Sequence, residues 1–187
     1  MSVIPIVTYN DEVLRKKASE IEANTKELQH LIDDMFETMY NGQGVGLAAP
    51  QIGKSIRLFV VDADAMYEDD ESGLRLGKEV FINPVILEKG TDIVSFDEGC
   101  LSIPGVREPV SRPDKIKVEY LNRDFEKKIV ELDGWNSRVF QHELDHLDGI
   151  LFIDYLGSFR KRLIRSSLDK VNTGLMEAEY PVKPKLI

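Results

Sequence analysis

The run His142-Glu143-Leu144-Asp145-His146 constrains this chain more than any other feature of its sequence. Because four residues advance an α-helix by slightly more than one turn, the two imidazoles would leave the same face of a helix. Two nitrogen ligands placed in this way suit a single transition metal, and the adjacent carboxylate can act as a general base toward water. The chain has only three histidines, so finding two of them in this run is a specific signal.

A helix is predicted over residues 134–147, where apolar side chains at helical spacing would seat the histidine run in the core. An amphipathic pattern predicts a second helix over residues 24–41, with Asn24 as its N-cap. A third helix is predicted at about residues 158–172. It precedes a tail, residues 173–187, that we expect to be flexible.

Five short segments combine β-branched and aromatic residues in patterns that predict strands. They are residues 56–61, 80–87, 92–96, 115–121 and 127–132. Turn signals at Gly90 and around Asn122 favour antiparallel hairpins between these segments, and Pro104-Gly105 predicts a further turn. Residues 62–79 are polar and acidic, which predicts a solvated surface loop.

These elements predict an α+β fold in which antiparallel β-sheets surround a central helix carrying the histidine run, with an N-terminal and a C-terminal helix besides. We expect one domain, residues 1–187, large enough to bury a core without disulfides. A net charge of −9 argues against nucleic acid as the main ligand, so no DNA partner is expected. One cysteine, with no signal peptide and no long apolar run, predicts a cytoplasmic protein without a membrane partner.

Two histidines do not complete a catalytic metal site, which usually has a third protein ligand and one position for water. One group of metallopeptidases has a third histidine where this chain has Phe152, and Glu177, the candidate of another zinc peptidase pattern, lies in the tail. Cys100 is the better candidate, because a thiolate is a strong ligand for first-row divalent metals. A buried free cysteine is the alternative, and the two imidazoles favour the ligand.

A glycine-rich segment, Gly44-Val-Gly-Leu-Ala-Ala49, fits the expression for a dinucleotide-binding loop. It follows a helix rather than a strand and runs into Pro50, so nucleotide binding is not expected. Such a segment can instead let a substrate backbone lie close and pair with it as an added strand. Gln51 at its end has an amide that can donate to a developing oxyanion.

Three segments occur in one order, Gly44–Gln51, Glu98–Ser102 and Gln141–His146, and together they resemble the signature of the peptide deformylase family. The resemblance extends over about residues 4–170. It implies a hydrolase that removes the N-terminal formyl group from the formyl-methionine of newly synthesised polypeptides and releases formate. Its partners would be nascent formyl-methionyl polypeptides.

The resemblance also implies a metal site. Cys100, His142 and His146 would hold one divalent metal, with Fe²⁺ as the native ion and Zn²⁺, Ni²⁺ or Co²⁺ as replacements. Glu143 would be the general base and later the general acid. Because an Fe²⁺ centre with a thiolate ligand is open to oxidation, we expect the activity of the iron form to be sensitive to oxygen.

The remaining implied roles concern the substrate. Gln51 and the backbone N–H of Leu101 would stabilise the oxyanion. The peptide groove would be lined by Gly44, Val45 and Gly46, with Arg107 near its mouth. By position, Val45, Trp135 and Val139 are candidates for an apolar methionine pocket, although each could simply pack in the core.

The predicted C-terminal helix is basic in an otherwise acidic chain. Its charged residues are one acid, Asp169, and the cations Arg160, Lys161, Arg162, Arg165 and Lys170. A solvated helix face and a docking site for ribosomal RNA both fit this pattern, and the resemblance favours docking on the ribosome.

Two other functions remain to be compared with this one. A metallopeptidase that cleaves internal bonds is disfavoured by Phe152. A structural metal site would normally have four protein ligands, whereas the sequence offers three beside a carboxylate.

Overall fold

The computed structural model describes residues 2–67 and 76–185, and its architecture confirms the predicted α+β class. The helices of these ranges are α1 (Lys26–Asn41), α2 (Gly134–Leu147), α3 (Ser158–Leu163) and α4 (Arg165–Asn172). The strands are β1 (Ile6–Val7), β2 (Gly46–Ala48), β3 (Leu58–Val61), β4 (Glu79–Lys89), β5 (Ile93–Cys100), β6 (Ile103–Pro113), β7 (Ile116–Leu121), β8 (Lys127–Leu132) and β9 (Val182–Lys183).

Within the described ranges, the strands form three sheets. The largest has the order β2-β3-β4-β7-β8, and every neighbouring pair in it is antiparallel. β5 and β6 form a separate antiparallel hairpin, while β1 pairs in parallel with β9. The predicted hairpin at Asn122 is confirmed, because it joins β7 to β8.

β3 lies between two hydrophobic clusters, because successive side chains of a strand point to opposite faces of the sheet. Phe59 and Val61 belong to the cluster that contains the apolar face of α2. Leu58 and Val60 belong to the cluster that contains the apolar face of α1. All four side chains are at most 1% exposed. The large sheet therefore separates the two longest helices of the described chain.

The helix that carries the histidine run has the predicted bounds and lies at the centre of the fold. On one side Phe140 meets Phe59 and Phe81 of the large sheet edge to face, with ring centroids 5.2 and 5.1 Å apart. On the other side Gln141 donates a hydrogen bond of 2.9 Å to the carbonyl of Pro113 in β6. α2 is thus enclosed by the large sheet and the β5–β6 hairpin.

Two helices differ from their predicted bounds. α1 begins at Lys26, because the hydroxyl of Thr25 caps its first turn where the sequence suggests Asn24. The helix predicted over residues 158–172 is divided into α3 and α4 at Ile164. This side chain is 7% exposed and belongs to the cluster formed by apolar residues of β6, so the change of direction keeps it in the core.

Two predicted turns also differ. The turn signal at Gly90 predicts a hairpin of its flanking strands, but β4 pairs with β7 and β5 pairs with β6. Pro104-Gly105 lies within β6 rather than at the reversal, which occurs at Leu101-Ser102. Gly105 has a φ of +75°, a value that a glycine adopts without strain, and the strand continues beyond it.

The segment predicted as a flexible tail, residues 173–187, contains β9 and so contacts the beginning of the chain through β1. That pairing joins residues far apart in sequence, and local patterns do not reveal it. In the predicted acidic loop, residues 68–75 lie outside the described residues, as do residues 186 and 187 of the tail.

Candidate metal centre and substrate cavity

α2 and the end of β5 bring the three predicted metal ligands together. His142 and His146 lie one helical turn apart, and their ring centroids are separated by 5.1 Å. Cys100 Sγ lies 3.3 Å from His146 Nε2. One ligand atom from each of the three residues lies within 4.8 Å of the others. This spacing suits one ion with bonds of about 2.0–2.3 Å to nitrogen and sulfur.

Cys100 reaches the helix because β5 ends in a tight reversal. Cys100 pairs with Ile103 across the turn formed by Leu101 and Ser102. The carbonyl of Ser102 accepts a hydrogen bond of 3.0 Å from the N–H of Tyr9, in the N-terminal segment. The position of the thiol therefore depends on the hairpin and on a contact from outside it.

A buried carboxylate orients one of the two histidines. Glu98 accepts hydrogen bonds from His142 Nδ1 at 2.9 Å, from Arg112 at 2.6 and 2.9 Å, and from Arg138 at 2.9 Å. A carboxylate can only accept, so Nδ1 carries the proton and Nε2 remains to bind a metal. Burial opposes the charge, but hydrogen bonds from Arg112 and His142 hold the pKa of Glu98 well below its usual range.

Arg112 and Arg138, each 4% exposed, extend this network between the hairpin and α2. Arg112 also donates to Asp145 at 2.7 Å. Arg138 donates to the carbonyls of Val94 in β5 and Val110 in β6, both at 2.8 Å. These contacts tie both strands of the hairpin to α2, and they fix the thiol relative to the imidazoles.

Glu143 lies beside the three ligands and is 4% exposed. Its Oε2 is buried and has no hydrogen-bond partner among the residues that the structure describes. Burial raises the pKa of this carboxyl to about 7. A buried oxygen of this kind on a cavity wall indicates that a ligand or water is its partner.

Gly46 makes room for that carboxylate. A Cβ atom added at this position would lie 2.5 Å from Glu143 Oε1, closer than real Cβ contacts. β2 can therefore approach the base only because it has no side chain there.

The side-chain amide of Gln51 has a fixed orientation. Its Oε1 accepts a hydrogen bond of 2.8 Å from the N–H of Ala48, so the NH₂ group faces the other way. Nε2 then lies 3.4 Å from Cys100 Sγ and 3.5 Å from Ser102 Oγ. The donor predicted for the oxyanion is thus placed beside the metal ligands.

Gln51, Cys100, His142 and Glu143 line a cavity of about 670 Å³, a size typical of ligand sites. The predicted substrate contacts all line it: Gly44, Val45, Gly46, Arg107, Val139 and also Trp135. Val139 belongs at the same time to the cluster around Phe140, and Trp135 stacks on Phe96 with centroids 4.9 Å apart. Val139 therefore packs in the core and also lines the cavity. Trp135 stacks on Phe96 and also lines the cavity.

The residues considered for other metallopeptidase patterns lie elsewhere. Phe152 is 1% exposed, and its ring stacks against the ring of His142 with centroids 6.1 Å apart. Glu177 is exposed and is not part of the three-residue ligand group. Phe152, at the position of the third histidine in that pattern, therefore packs against His142.

The sequence did not reveal four further residues of the site: Glu98, Arg112, Arg138 and Tyr180. Glu98 could have been predicted, because it lies two residues before Cys100 and residues two apart in a strand share a face. The two arginines resemble ordinary surface charges in a sequence. Tyr180 donates a hydrogen bond to the carbonyl of Leu101, which lies 79 positions earlier in the sequence.

The donor set fits a first-row divalent metal, for which thiolate and imidazole are strong ligands. Burial lowers the pKa of His146 well below its ordinary value, which favours the neutral, ligating form. With the carboxylate of Glu143 and the amide of Gln51 on the same cavity, this arrangement is typical of metal-dependent hydrolases.

Comparisons with known proteins identify the family within that class. The sequence model of the family described as polypeptide deformylase matches residues 3–162. A peptide deformylase of Salinibacter ruber is 50% identical over 98% of this chain and 95% of its own length. One from Cytophaga hutchinsonii is 44% identical over 97% of each chain. The crystal structure of peptide deformylase from Ehrlichia chaffeensis in complex with actinonin is 37% identical, has a TM-score of 0.85, and covers 95% of this chain and 100% of its own.

The chain belongs to the polypeptide deformylase family. Members of this family are metal-dependent hydrolases that remove the formyl group from nascent polypeptides, which confirms the predicted class of enzyme. None of the helices in the described ranges is long and apolar enough to cross a membrane.

Proposed function

We propose that this chain hydrolyses the formyl amide of formyl-methionyl polypeptides, with Cys100, His142 and His146 holding one divalent metal. The observation that carries the proposal is the buried, unpartnered oxygen of Glu143 in a cavity that Cys100 and His142 also line, with His146 completing the group of three ligand atoms. Family membership supports the reaction, and the geometry supports the assignment of roles to residues.

A divalent metal bound by these ligands would act as a Lewis acid that polarises a carbonyl and makes water more acidic. Glu143 accepts the proton of the attacking water and then delivers it to the leaving amine nitrogen. A buried carboxyl beside the site can do both, and such proton transfer typically contributes about 10²–10⁴-fold. The formyl carbon keeps the new oxygen and leaves as formate.

Gln51 and Leu101 stabilise the negative charge that develops on the formyl oxygen. The NH₂ group of Gln51 is held toward the metal ligands by the hydrogen bond from Ala48. The N–H of Leu101 immediately follows the thiol ligand in the chain. Because both groups are positioned before substrate binds, little reorganisation is needed as the charge forms.

The substrate lies along the glycine segment. Gly44, Val45 and Gly46 leave space for an extended backbone at the edge of the large sheet, where β2 has one partner, β3. Val45, Trp135 and Val139 form the apolar part of the wall that takes the methionine side chain. Arg107 is exposed and lines the same cavity, so it contacts the polypeptide beyond the methionine.

We propose Fe²⁺ as the native metal, with Zn²⁺, Ni²⁺ or Co²⁺ as substitutes. A mixed set of sulfur and nitrogen donors accepts all of these ions, and the thiolate makes an iron centre sensitive to oxidation. We expect the iron form to lose activity in air, with Cys100 oxidised, while the nickel form keeps its activity. An iron-loaded enzyme that stays active after prolonged aeration would contradict this proposal.

The first experiment is formate release from a formyl-Met peptide by protein prepared anaerobically with Fe²⁺, compared between the wild type and Glu143→Ala. We expect robust release from the wild type and a loss of about 10²–10⁴-fold in the variant, with metal content unchanged. Wild-type protein that binds one metal and releases no formate would refute the reaction. Full activity in the variant would refute the role of Glu143.

We also propose that the basic helices α3 and α4 dock on the ribosome in the cytoplasm, where formylated chains emerge. Arg162 and Arg165 are exposed. Arg160 forms an ion pair with Glu108 at 2.7 Å, so its charge is partly neutralised and contributes less to RNA binding. Docking on RNA through such residues depends on salt.

The test is co-sedimentation with ribosomes at several salt concentrations, using the double variant Arg162→Glu/Arg165→Glu. Deletion of the C-terminal region is unsuitable, because it would also remove Tyr180 from the cavity wall. We expect the double variant to lose salt-sensitive binding while Lys54→Glu, a charge reversal at another exposed position, keeps it. Equal binding by the two variants would refute docking through these helices.

A further inference from the structure

The C-terminal segment of residues 179–185 crosses the molecule beside the substrate cavity, and we refer to it as the strap. The hydroxyl of Tyr180 donates a hydrogen bond of 2.8 Å to the carbonyl of Leu101. Its side chain also lines the cavity. The preceding residue, Glu179, accepts a hydrogen bond of 3.2 Å from Gln43, which comes directly before the glycine segment and lines the cavity. Two consecutive residues of the strap thus contact two different walls of the cavity.

The strap is anchored on the N-terminal segment of the chain. β9 pairs with β1, and Ile6 donates from its N–H to the carbonyl of Pro181 at 2.9 Å. Further along, the N–H of Lys185 donates to the hydroxyl of Thr8 at 3.1 Å, and its ammonium group pairs with Glu12 at 2.9 Å. The contacts of Tyr180 are therefore made from a segment whose own position is fixed.

Leu101 connects the strap to the glycine segment. Its side chain packs closely against Gly42 and Gly44, because a Cβ added at either glycine would come within 3.0–3.1 Å of a Leu101 methyl group. Its N–H is the one assigned to the oxyanion. A residue that holds the Leu101 carbonyl therefore limits the movement of the oxyanion donor and of the segment along which substrate lies.

We propose that Tyr180 is a positioning residue for the deformylase reaction, which acts by holding the Leu101 turn from the far end of the chain. This inference rests on the proposed function, since it deepens the account of the same site. The turn is held from both ends of the chain, because the N–H of Tyr9 binds the neighbouring carbonyl of Ser102 at 3.0 Å. Tyr180 itself takes no part in proton transfer.

The test is Tyr180→Phe, which removes the hydroxyl and keeps the ring. Loss of one neutral hydrogen bond should lower kcat about three- to tenfold, because the oxyanion donor acts in the transition state, and should change KM less. Hydrogen exchange at the amides of residues 101–103 and 42–46 should become at least threefold faster in metal-free protein. The matched control is Tyr120→Phe, which removes a hydroxyl bonded to Glu79 away from the cavity.

The outcomes separate this proposal from the proposed function. Slower turnover with faster exchange in Tyr180→Phe, and neither in Tyr120→Phe, supports the positioning role. Unchanged turnover overturns it even if exchange or thermal stability changes, because the strap would then be only structural. If the wild type releases no formate, the deformylase assignment fails, and the exchange measurement alone decides whether Tyr180 holds the turn.

Discussion

Buried ion pairs join α2 to the strands β5 and β6 on one side of the cavity. On the other side, neutral or solvent-exposed hydrogen bonds and close packing hold residues 42–46 and the turn at Leu101 that connects these strands. We call the first the metal half, which contains Glu98, Arg112, Arg138 and the ligands. The second is the substrate half, which contains residues 42–46, Gln51 and Leu101. Charged hydrogen bonds are stronger and more directional than neutral ones. A fixed geometry suits the candidate metal ligands, whereas the substrate half offers space and the backbone of an edge strand.

Removing the centre of the metal half should have the largest effect. Glu98→Ala removes the carboxylate that Arg112 and Arg138 share, and leaves Asp145 as the acid paired with Arg112. Removing one partner of a buried ion pair typically costs about 3–5 kcal/mol. His142 also loses the acceptor that orients its ring, so metal affinity should fall roughly 10–100-fold. Denaturant unfolding and metal titration measure the two effects.

The control for this variant is Glu119→Ala, which breaks an exposed pair with Lys127. Surface pairs of this kind contribute about 0–1 kcal/mol, so its unfolding free energy should hardly change. If both variants lost similarly little stability, the metal half would not depend on buried charge, and the contrast between the halves would disappear.

In the substrate half, Gln51→Glu should lower kcat by about 10²–10³-fold. The new side chain keeps an oxygen that can accept from the N–H of Ala48, but it lacks the donor that faces the site. Metal content should stay close to that of the wild type, unlike that of Glu98→Ala. A kcat within a few fold of the wild-type value would show that Gln51 does not stabilise the oxyanion.

Gly46→Ala tests the packing that brings β2 beside the base. The added methyl group would overlap Glu143, and overpacking typically costs about 1–3 kcal/mol. We expect reduced kcat, because the carboxylate must turn away from the cavity to make room. Gly157→Ala is the control, since an added Cβ there meets nothing within 4 Å. Equal kinetics for the two variants would mean that Glu143 tolerates the displacement.

Val139→Phe should give the smallest and most selective change. Its larger side chain would fill part of the apolar wall and raise KM for formyl-Met peptides about tenfold, while formyl-Ala peptides should be affected less. Steady-state kinetics with both substrates measures the difference. A fall in thermal stability without a change in substrate preference would assign Val139 to the core alone.

The sequence predicts the metal half well where the pattern is local. The bounds of α2 agree with their prediction, because helical periodicity is carried by neighbouring residues. The three candidate ligands are suggested by the motif and by the scarcity of histidine and cysteine, and the structure brings them together. The partners of Glu98 could not be predicted, because Arg112 and Arg138 reach it only after the hairpin has docked on α2.

The substrate half is harder to predict because distant segments complete it. Residue composition suggests a turn at Pro104-Gly105, but the pairing of β5 with β6 moves the reversal to Leu101-Ser102. The contact of Tyr180 with Leu101 joins residues separated by 79 positions, and no periodicity encodes such a pair. Its existence depends on the parallel pairing of β1 with β9.

The alternation of β3 between two cores has a consequence for the accuracy with which the strands of the large sheet align. Slippage of this strand by one residue would move Phe59 and Val61 into the cluster at α1, and Leu58 and Val60 into the cluster at α2, so both cores would be mispacked at once. β2 takes its alignment from β3, with Gly46 opposite Val61. The alignment of the sheet edge beside the cavity is thus protected against error by a buried strand whose residues do not line the cavity.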